Sequence, residues 1–476
     1  MAYVHYDRLS ALDATFLALE DENVHMHVGA VAIFDAKPLA ARDGGLDLPR
    51  LLAHAAPAIG RSQRLRQRLA RIPVVGHPVW VDDEHFQLDY HLRHTALPLP
   101  GSERQLKRLA GRVLSQKLDL NKPLWELWIV EGLEGDRCAL IAKLHHCMVD
   151  GVSGVDLLAL LLDVEPRREP GEVDAPARWL PRPVPGPARL LRDELARRAG
   201  LPPALLGAGL RALRAPRAQL ERAREAAGAV QEILRPALRT ATPTPLNEPV
   251  GPHRRFDWTV FALDQVKAVK QRLGGTVNDV VLATAAGALR AFLARRGVAV
   301  DTLDFRAQVP VDVRPARERG RLGNRVATLV VPLPVHEPDR RRRYQAVLRA
   351  THAMEAERQV RGSELLEALG DWTATELLAG LVRTTAKGLA FNLTITNVPG
   401  PPMPVYLLDA PMLAIYPVVP LFPRQCLGFA VFSYDGRLFW GFHACWDAVP
   451  DLHDAVLAVE AEFAALRALA AEEPAS

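Results

Sequence analysis

The amino-acid sequence predicts an α/β chain of the α+β type, made of two similar-sized domains that each combine a mixed sheet with helices. Three observations carry this. The 476 residues suit two domains at roughly 100–200 residues each, and 49% apolar content supplies enough side chains for two cores. Strand-like alternation and helix-like periodicity are interleaved along both halves. Between the halves, residues 166–252 change character, with 15 of the chain's 38 prolines, and the first part reads as a linker. The expected division is residues 1–165, a Pro/Arg-rich linker with amphipathic helices at 166–252, and residues 253–476.

Composition excludes several classes of protein. The net charge is only +4, yet residues 166–255 hold 17 Arg and no Lys against 9 Asp and Glu, a local +8. The rest is near −4, so no nucleic-acid partner is expected. Cys138, Cys147, Cys426 and Cys445 show no CxxC spacing, which points to a reducing compartment and away from a zinc knuckle or disulfide framework. The N-terminal residues lack the charged-then-apolar pattern of a signal peptide. No run reaches ~18 uninterrupted apolar residues, so no transmembrane helix is predicted and a cytoplasmic protein is expected.

In chain order, Leu9 to Phe16 reads as a short capped helix and Met26–Phe34 as a strand, with His25 and His27 at alternate positions on one face. Residues 48–72 are expected to be helical and basic, Pro78–Val81 a strand, and 103–118 an amphipathic helix. Pro123 then leads into a strand through Glu131 that is largely apolar on both faces and therefore central. It is expected to pair with 138–145 through the Leu133–Arg137 turn. In the linker, Leu220, Ala223, Ala227, Val230 and Leu234 keep a heptad-like stripe beside Arg222 and Arg224. That stripe fits a helix packed on the body, or an Arg-faced helix on an anionic lipid surface. Strands are expected at 258–263, 303–313, 326–335 and 391–396, and helices at 264–273, 276–296, 337–361 and 363–388. Asp435-Gly436 joins two alternating runs as a hairpin with a primed turn, and a final helix spans about 451–470.

One stretch carries chemistry. Ala139 to His145 reads as a strand that ends in His145-His146, followed by Asp150-Gly151, a turn pair, and by Ser153, an N-cap for the segment after it. Adjacent strand residues point to opposite faces. His145 and His146 are therefore poorly placed to share a metal, and no metal site is expected. A histidine so presented can take a proton near neutral pH, and a buried structural histidine fits the same pattern. Asp150 is open to two readings, orienting partner of the imidazole or brace of the loop. No GxSxG, P-loop or GxGxxG occurs, and Cys147 reads as an inert thiol.

Several motifs at consistent spacing narrow this. Leu9-Ser-Ala-Leu-Asp13, Met26-His-Val-Gly29, Pro123-Leu-Trp125-Glu, Val130-Glu-Gly-Leu133, His145-His146-Cys-Met-Val-Asp150-Gly151, Val277-Asn278-Asp279-Val280, Pro310 to Arg314, Leu322 to Arg325 and Asn397-Val-Pro-Gly-Pro401 follow in order. In these the chain resembles, over nearly its whole length, the bacterial wax ester synthase/diacylglycerol acyltransferase family. That family belongs to the coenzyme A-dependent acyltransferases that include chloramphenicol acetyltransferase. Cys147 departs from it, standing where the signature most often has Ala, and its small size makes it tolerable there.

The resemblance implies two chloramphenicol-acetyltransferase-like domains with the active site at their interface. It implies His146 as general base, His145 in support, Asp150 with Gly151 fixing the loop, and Asn278, Asp279 and Asn397 at the substrate. The implied reaction is O-acyl transfer from long-chain acyl-CoA, a co-substrate with no further cofactor, to diacylglycerol or a fatty alcohol. The products would be stored triacylglycerol or wax ester, made at the inner membrane or a lipid droplet by a peripherally bound enzyme. Candidates for the CoA phosphates are Arg61–Arg71, Arg254–Arg255 and Arg314–Arg325. The rivals are a same-fold acyltransferase with another alcohol acceptor and a non-catalytic lipid-binding protein.

Overall fold

Runs that alternate apolar residues on both faces form the interior strands, and the helices that cover them are set by caps. A computed structural model describes residues 6–148, 154–167, 179–199, 240–312, 326–361 and 389–472. In chain order these form β1 (Asp7–Arg8), α1 (Ala11–Leu19), β2 (His27–Asp35), α2 (Leu48–Arg61), β3 (Gln67–Arg71), β4 (Pro78–Asp82), α3 (Leu88–His91), β5 (Leu92–Ala96), α4 (Glu103–Ser115), β6 (Trp125–Leu133), β7 (Arg137–His145), α5 (Gly154–Ala159) and α6 (Pro187–Ala199). The second half contributes β8 (Arg254–Ala262), α7 (Leu263–Leu273), α8 (Val277–Arg295), β9 (Phe305–Asp312), β10 (Val326–Leu333), α9 (Arg340–Arg361), β11 (Leu393–Pro399), β12 (Tyr406–Leu407), β13 (Ala410–Val418), β14 (Leu427–Tyr434), β15 (Arg437–Cys445) and α10 (Leu452–Glu472).

Two six-stranded mixed sheets dominate, in the orders β12-β13-β2-β7-β6-β5 and β10-β9-β11-β14-β15-β8. A third, three-stranded sheet has the order β1-β4-β3. In the first sheet β7 lies between β2 and β6, and β5 joins β6 in parallel. In the second, β11 runs parallel to both β9 and β14. The β14–β15 hairpin turns at Asp435 and Gly436, both with positive φ (44° and 71°), the geometry of the primed turn read from the sequence.

Two expectations change. Residues 48–72 are not one helix: α2 stops at Arg61, and Gln67–Arg71 turns back to pair antiparallel with Pro78–Asp82. Arg-rich sequence is helix-compatible by propensity, and sheet pairing overrides it here. The second change is the crossing of β13. It follows residue 253 in the chain but pairs antiparallel with β2 in the first sheet. Gly441 of β15 makes the close passage possible, because a Cβ there would lie 1.9 Å from the Pro417 carbonyl oxygen of β13.

α8 is long and apolar enough to cross a membrane, but it is packed within the second core. Small residues bring it against α10, where Gly287 faces the buried Glu462. Glu462 is neutralised by Arg343 at 2.7 Å and Arg340 at 3.0 Å. The heptad stripe in the linker and the helix expected at 363–388 lie outside the described residues.

Candidate active site

The signature histidines sit where the two cores meet. β2 and β7 belong to the first core, whereas Leu19, Val24 and Met26, just before β2, are buried in the second, with Phe16 packed against it. Met26 adopts a left-handed backbone (φ 47°), an uncommon conformation for a residue with a Cβ. Its carbonyl accepts the His146 amide at 2.9 Å. Gly29 lets β2 close on β7, since a Cβ there would meet the Ala142 carbonyl oxygen at 2.0 Å.

β7 ends at His145, directly opposite His27 on β2, and His146 opens a single 3-10 turn through Met148. The two neighbouring imidazoles have different surroundings. His145 is fully buried, and its Nδ1 accepts the Cys147 amide at 3.1 Å. Burial pulls its pKa down to about 3. His146 keeps partial exposure, and its ring stacks on Phe16 of α1 with centroids 3.8 Å apart. Burial pulls its pKa down to about 4, opposed by its own main-chain carbonyl, while Nδ1 is sealed from solvent. Both rings are therefore neutral at pH 7. The Cys147 thiol is buried, which pushes its pKa up and keeps it protonated.

α1 is held in place by its N-cap, where the Ser10 hydroxyl accepts the Asp13 amide and donates to the Asp13 carboxylate. Its C-cap is Glu20, whose buried carboxylate lies 3.9 Å from His145 Nε2 and 3.7 Å from Lys117 Nζ. Burial raises the pKa of Glu20 to about 7, with Lys117 opposing. Sequence reasoning singled out neither Phe16 nor Glu20: the cap of α1 was legible, its tertiary partners were not.

A polar shell surrounds His145. His25 and His27 are buried with ring centroids 5.3 Å apart, and His27 meets His145 edge-on at 6.4 Å. His443 of β15 donates from Nδ1 to the Val419 carbonyl at 2.7 Å. Burial holds His25, His27 and His443 below the usual histidine range. Among the described residues, no three His, Cys, Asp or Glu side chains converge as metal ligands. On the same face Lys143 is wholly buried but satisfied by Glu126 at 3.1 Å and by two carbonyls at the end of α4. Arg254, buried at the start of β8, ties the seam by donating to the carbonyls of Asn23 and Gly251.

The second-domain candidates separate. Asp279 is buried in the first turn of α8, and both of its oxygens are engaged. One takes the Thr276 amide (2.7 Å) and hydroxyl (2.8 Å), and the other the Thr351 hydroxyl (2.7 Å). Asn278 and Asn397 are half-buried, Asn397 lying opposite Val431 on β11. Asp150 and Gly151 lie outside the described residues, as do Arg314–Arg325. Of the other basic candidates, Arg64 lies over Trp80, Arg66 over Trp179 and Arg255 over Trp446, each within 5 Å of the ring centre.

Comparison with known proteins matches the chain to one family. Residues 9–281 match the wax ester synthase/diacylglycerol acyltransferase catalytic domain, and residues 322–467 match the C-terminal domain of the same enzymes. A Mycobacterium tuberculosis protein named probable diacylglycerol O-acyltransferase tgs2 is 32% identical over 94% of this chain and 95% of its own length. The structure of a wax ester synthase/diacylglycerol acyltransferase from Marinobacter aquaeolei VT8 superposes with a TM-score of 0.68 at 26% identity, covering 98% of this chain and all of that one. The first condensation domain of the CDA synthetase shares the fold, with a TM-score of 0.56 at 20% identity over all of this chain and 98% of that one.

Proposed function

The chain belongs to the wax ester synthase/diacylglycerol acyltransferase family and is an acyltransferase, and from that membership we propose its substrates and its base. It moves a long-chain fatty acyl group from acyl-CoA to the hydroxyl of diacylglycerol or of a fatty alcohol. His146 is the general base, and no further cofactor takes part. The observation that supports this reading most is the state of His146: a neutral, partly exposed imidazole at the seam between two cores, with Nδ1 sealed so that Nε2 is the nitrogen left to meet a substrate.

In this reading Nε2 removes the hydroxyl proton as the oxygen attacks the thioester carbonyl. The carbon–oxygen bond forms, the tetrahedral intermediate collapses, and the carbon–sulfur bond breaks. The imidazolium returns its proton to the departing CoA thiolate, so atoms and charge balance without a covalent enzyme intermediate. Such a base contributes roughly 100- to 10,000-fold. Asn278, Asp279 and Asn397 are the second-domain residues assigned to the substrate, although Thr276 and Thr351 already engage both oxygens of Asp279, and Asp150 with Gly151 are assigned to the loop. The acceptors are lipids, so the enzyme works in the cytoplasm at a membrane or droplet surface, read out by co-sedimentation with liposomes.

The test is thiol release from palmitoyl-CoA with dipalmitoyl glycerol, with hexadecanol, and with neither. CoA release that depends on one of the lipids is expected, and loss of turnover in a folded His146→Ala variant. Full activity in that variant removes His146 as the base. A response to neither lipid points to another alcohol acceptor or to a lipid-binding protein.

A further inference from the structure

α1 lies outside the histidine signature, yet it touches both of its histidines. Phe16 lays its ring on His146 at 3.8 Å with the planes 28° apart. One turn further on, Glu20 caps the helix and holds a carboxylate, 2% exposed, 3.9 Å from His145 Nε2. We propose that Phe16 and Glu20 are positioning residues for acyl transfer, Phe16 acting on the His146 ring and Glu20 acting through His145. The inference rests on His146 being the general base.

The Glu20 limb follows from hydrogen-bond accounting. The Cys147 amide points at His145 Nδ1 across 3.1 Å, so that nitrogen must be the acceptor and the ring proton must sit on Nε2. The other tautomer would set two hydrogens against each other in a fully buried space. His145 Nε2 has no hydrogen-bond partner among the described residues, and the Glu20 carboxylate is the anion that faces it. Its charge, present once pH exceeds about 7, favours the Nε2–H tautomer. That tautomer holds the Cys147 amide, and the Cys147 amide belongs to the turn that carries His146. Lys117 keeps Glu20 from swinging away.

The Phe16 limb follows from contact. A ring stacked face to face leaves the imidazole little freedom to turn and keeps water off one side. Phe16 is itself anchored in the second core, so the orientation of the base is registered against the other domain. The charged and titratable groups around the pair are Lys117 and Asp21 at Glu20, Lys117 and His27 at His145, and His145 beside His146.

The experiment compares Phe16→Leu, Phe16→Tyr, Glu20→Gln and His146→Ala in the full chain, each checked for folding by circular dichroism and thermal melting. Readouts are kcat, KM for palmitoyl-CoA, and kcat/KM from pH 5 to 9. Phe16→Leu is expected to lower kcat roughly 10- to 100-fold with KM little changed, as for a misplaced catalytic group. It should also shift the acid limb of the profile upward, because a hydrated imidazole holds its proton more tightly. Phe16→Tyr keeps the stacked ring and should keep most of kcat. Glu20→Gln keeps the shape but not the charge and should lower kcat, again with KM little changed. Wild-type kcat and profile in Phe16→Leu and Glu20→Gln beside an inactive His146→Ala overturn the positioning roles alone. Equal losses in Phe16→Tyr and Phe16→Leu overturn the role of the stacked ring. An active His146→Ala removes the base, and the inference with it.

Discussion

At the scale of single residues, the site is a set of imidazoles kept neutral by burial. His25, His27, His145, His146 and His443 all have folded pKa values below the ordinary histidine value, down to about 4 for His146 and about 3 for His145 and His443. An unfolded histidine takes up its proton near pH 6.5. Below that pH the unfolded chain binds protons that the folded one refuses, so stability is complete above about 6.5 and is lost as pH falls. The slope is about 1.4 kcal/mol per pH unit for each histidine fully protonated only when unfolded. Glu20 acts in the opposite direction. Its pKa is raised from 4.5 to about 7, so its contribution is present below 4.5 and lost as pH rises through 7. One carboxyl against five imidazoles leaves the histidines in control. Melting temperature is therefore expected to vary little between pH 8 and 7 and to fall steeply below 6.5. A melting temperature unchanged between pH 7.5 and 5 would contradict the neutral, buried state of this cluster.

At the scale of elements, Asp279 shows how one residue supports two readings. Its place after Asn278 in a family motif suggested a substrate contact. In the structure it closes a capping box with Thr276 and receives Thr351 from α9. Asp279→Ala is thus expected to lose about 0.5–2 kcal/mol of stability, the usual range for a helix cap, measured by urea denaturation. Thr351→Val should lose part of that. Unchanged stability with a collapsed kcat would instead put Asp279 at the substrate. Elements set by local pattern were legible in the sequence: β6 and β7 with their turn, the Asp435-Gly436 hairpin, α7, α8 and α10. β3 was read as helix because its arginines suit either state and only the partner strand β4 decides. The strand that ends in His145 was legible, but His146 opens a 3-10 turn instead of continuing it, so the strand rule of opposite faces does not apply to the pair; Phe16 on His146 and Glu20 beside His145 depend on how α1 docks.

At the scale of the molecule, β13 interlocks the two halves. The proline-rich stretch marks a change of composition in the sequence, but no local pattern announces that residues 406–418 return to the first sheet, because the partner of β13 lies almost 400 residues earlier on β2. Without β13, β2 becomes an edge strand of nine residues, nearly all buried in the intact chain. Such an edge presents unpaired amides and carbonyls to any other strand. Leu19, Val24 and Met26, just before β2, would also lose the core that buries them. A chain of residues 1–252 alone is therefore expected to aggregate or to pair with itself along β2. Supplying residues 253–476 from a second gene in the same cell should restore a 1:1 complex, because the incoming half brings β13 to the β2 edge and the second core to Phe16. Size-exclusion chromatography with light scattering distinguishes the cases. A soluble monomer of residues 1–252 with strand content like that of the same region in the whole chain would show that β13 is dispensable. In that case the histidine turn would not depend on the second half for its alignment.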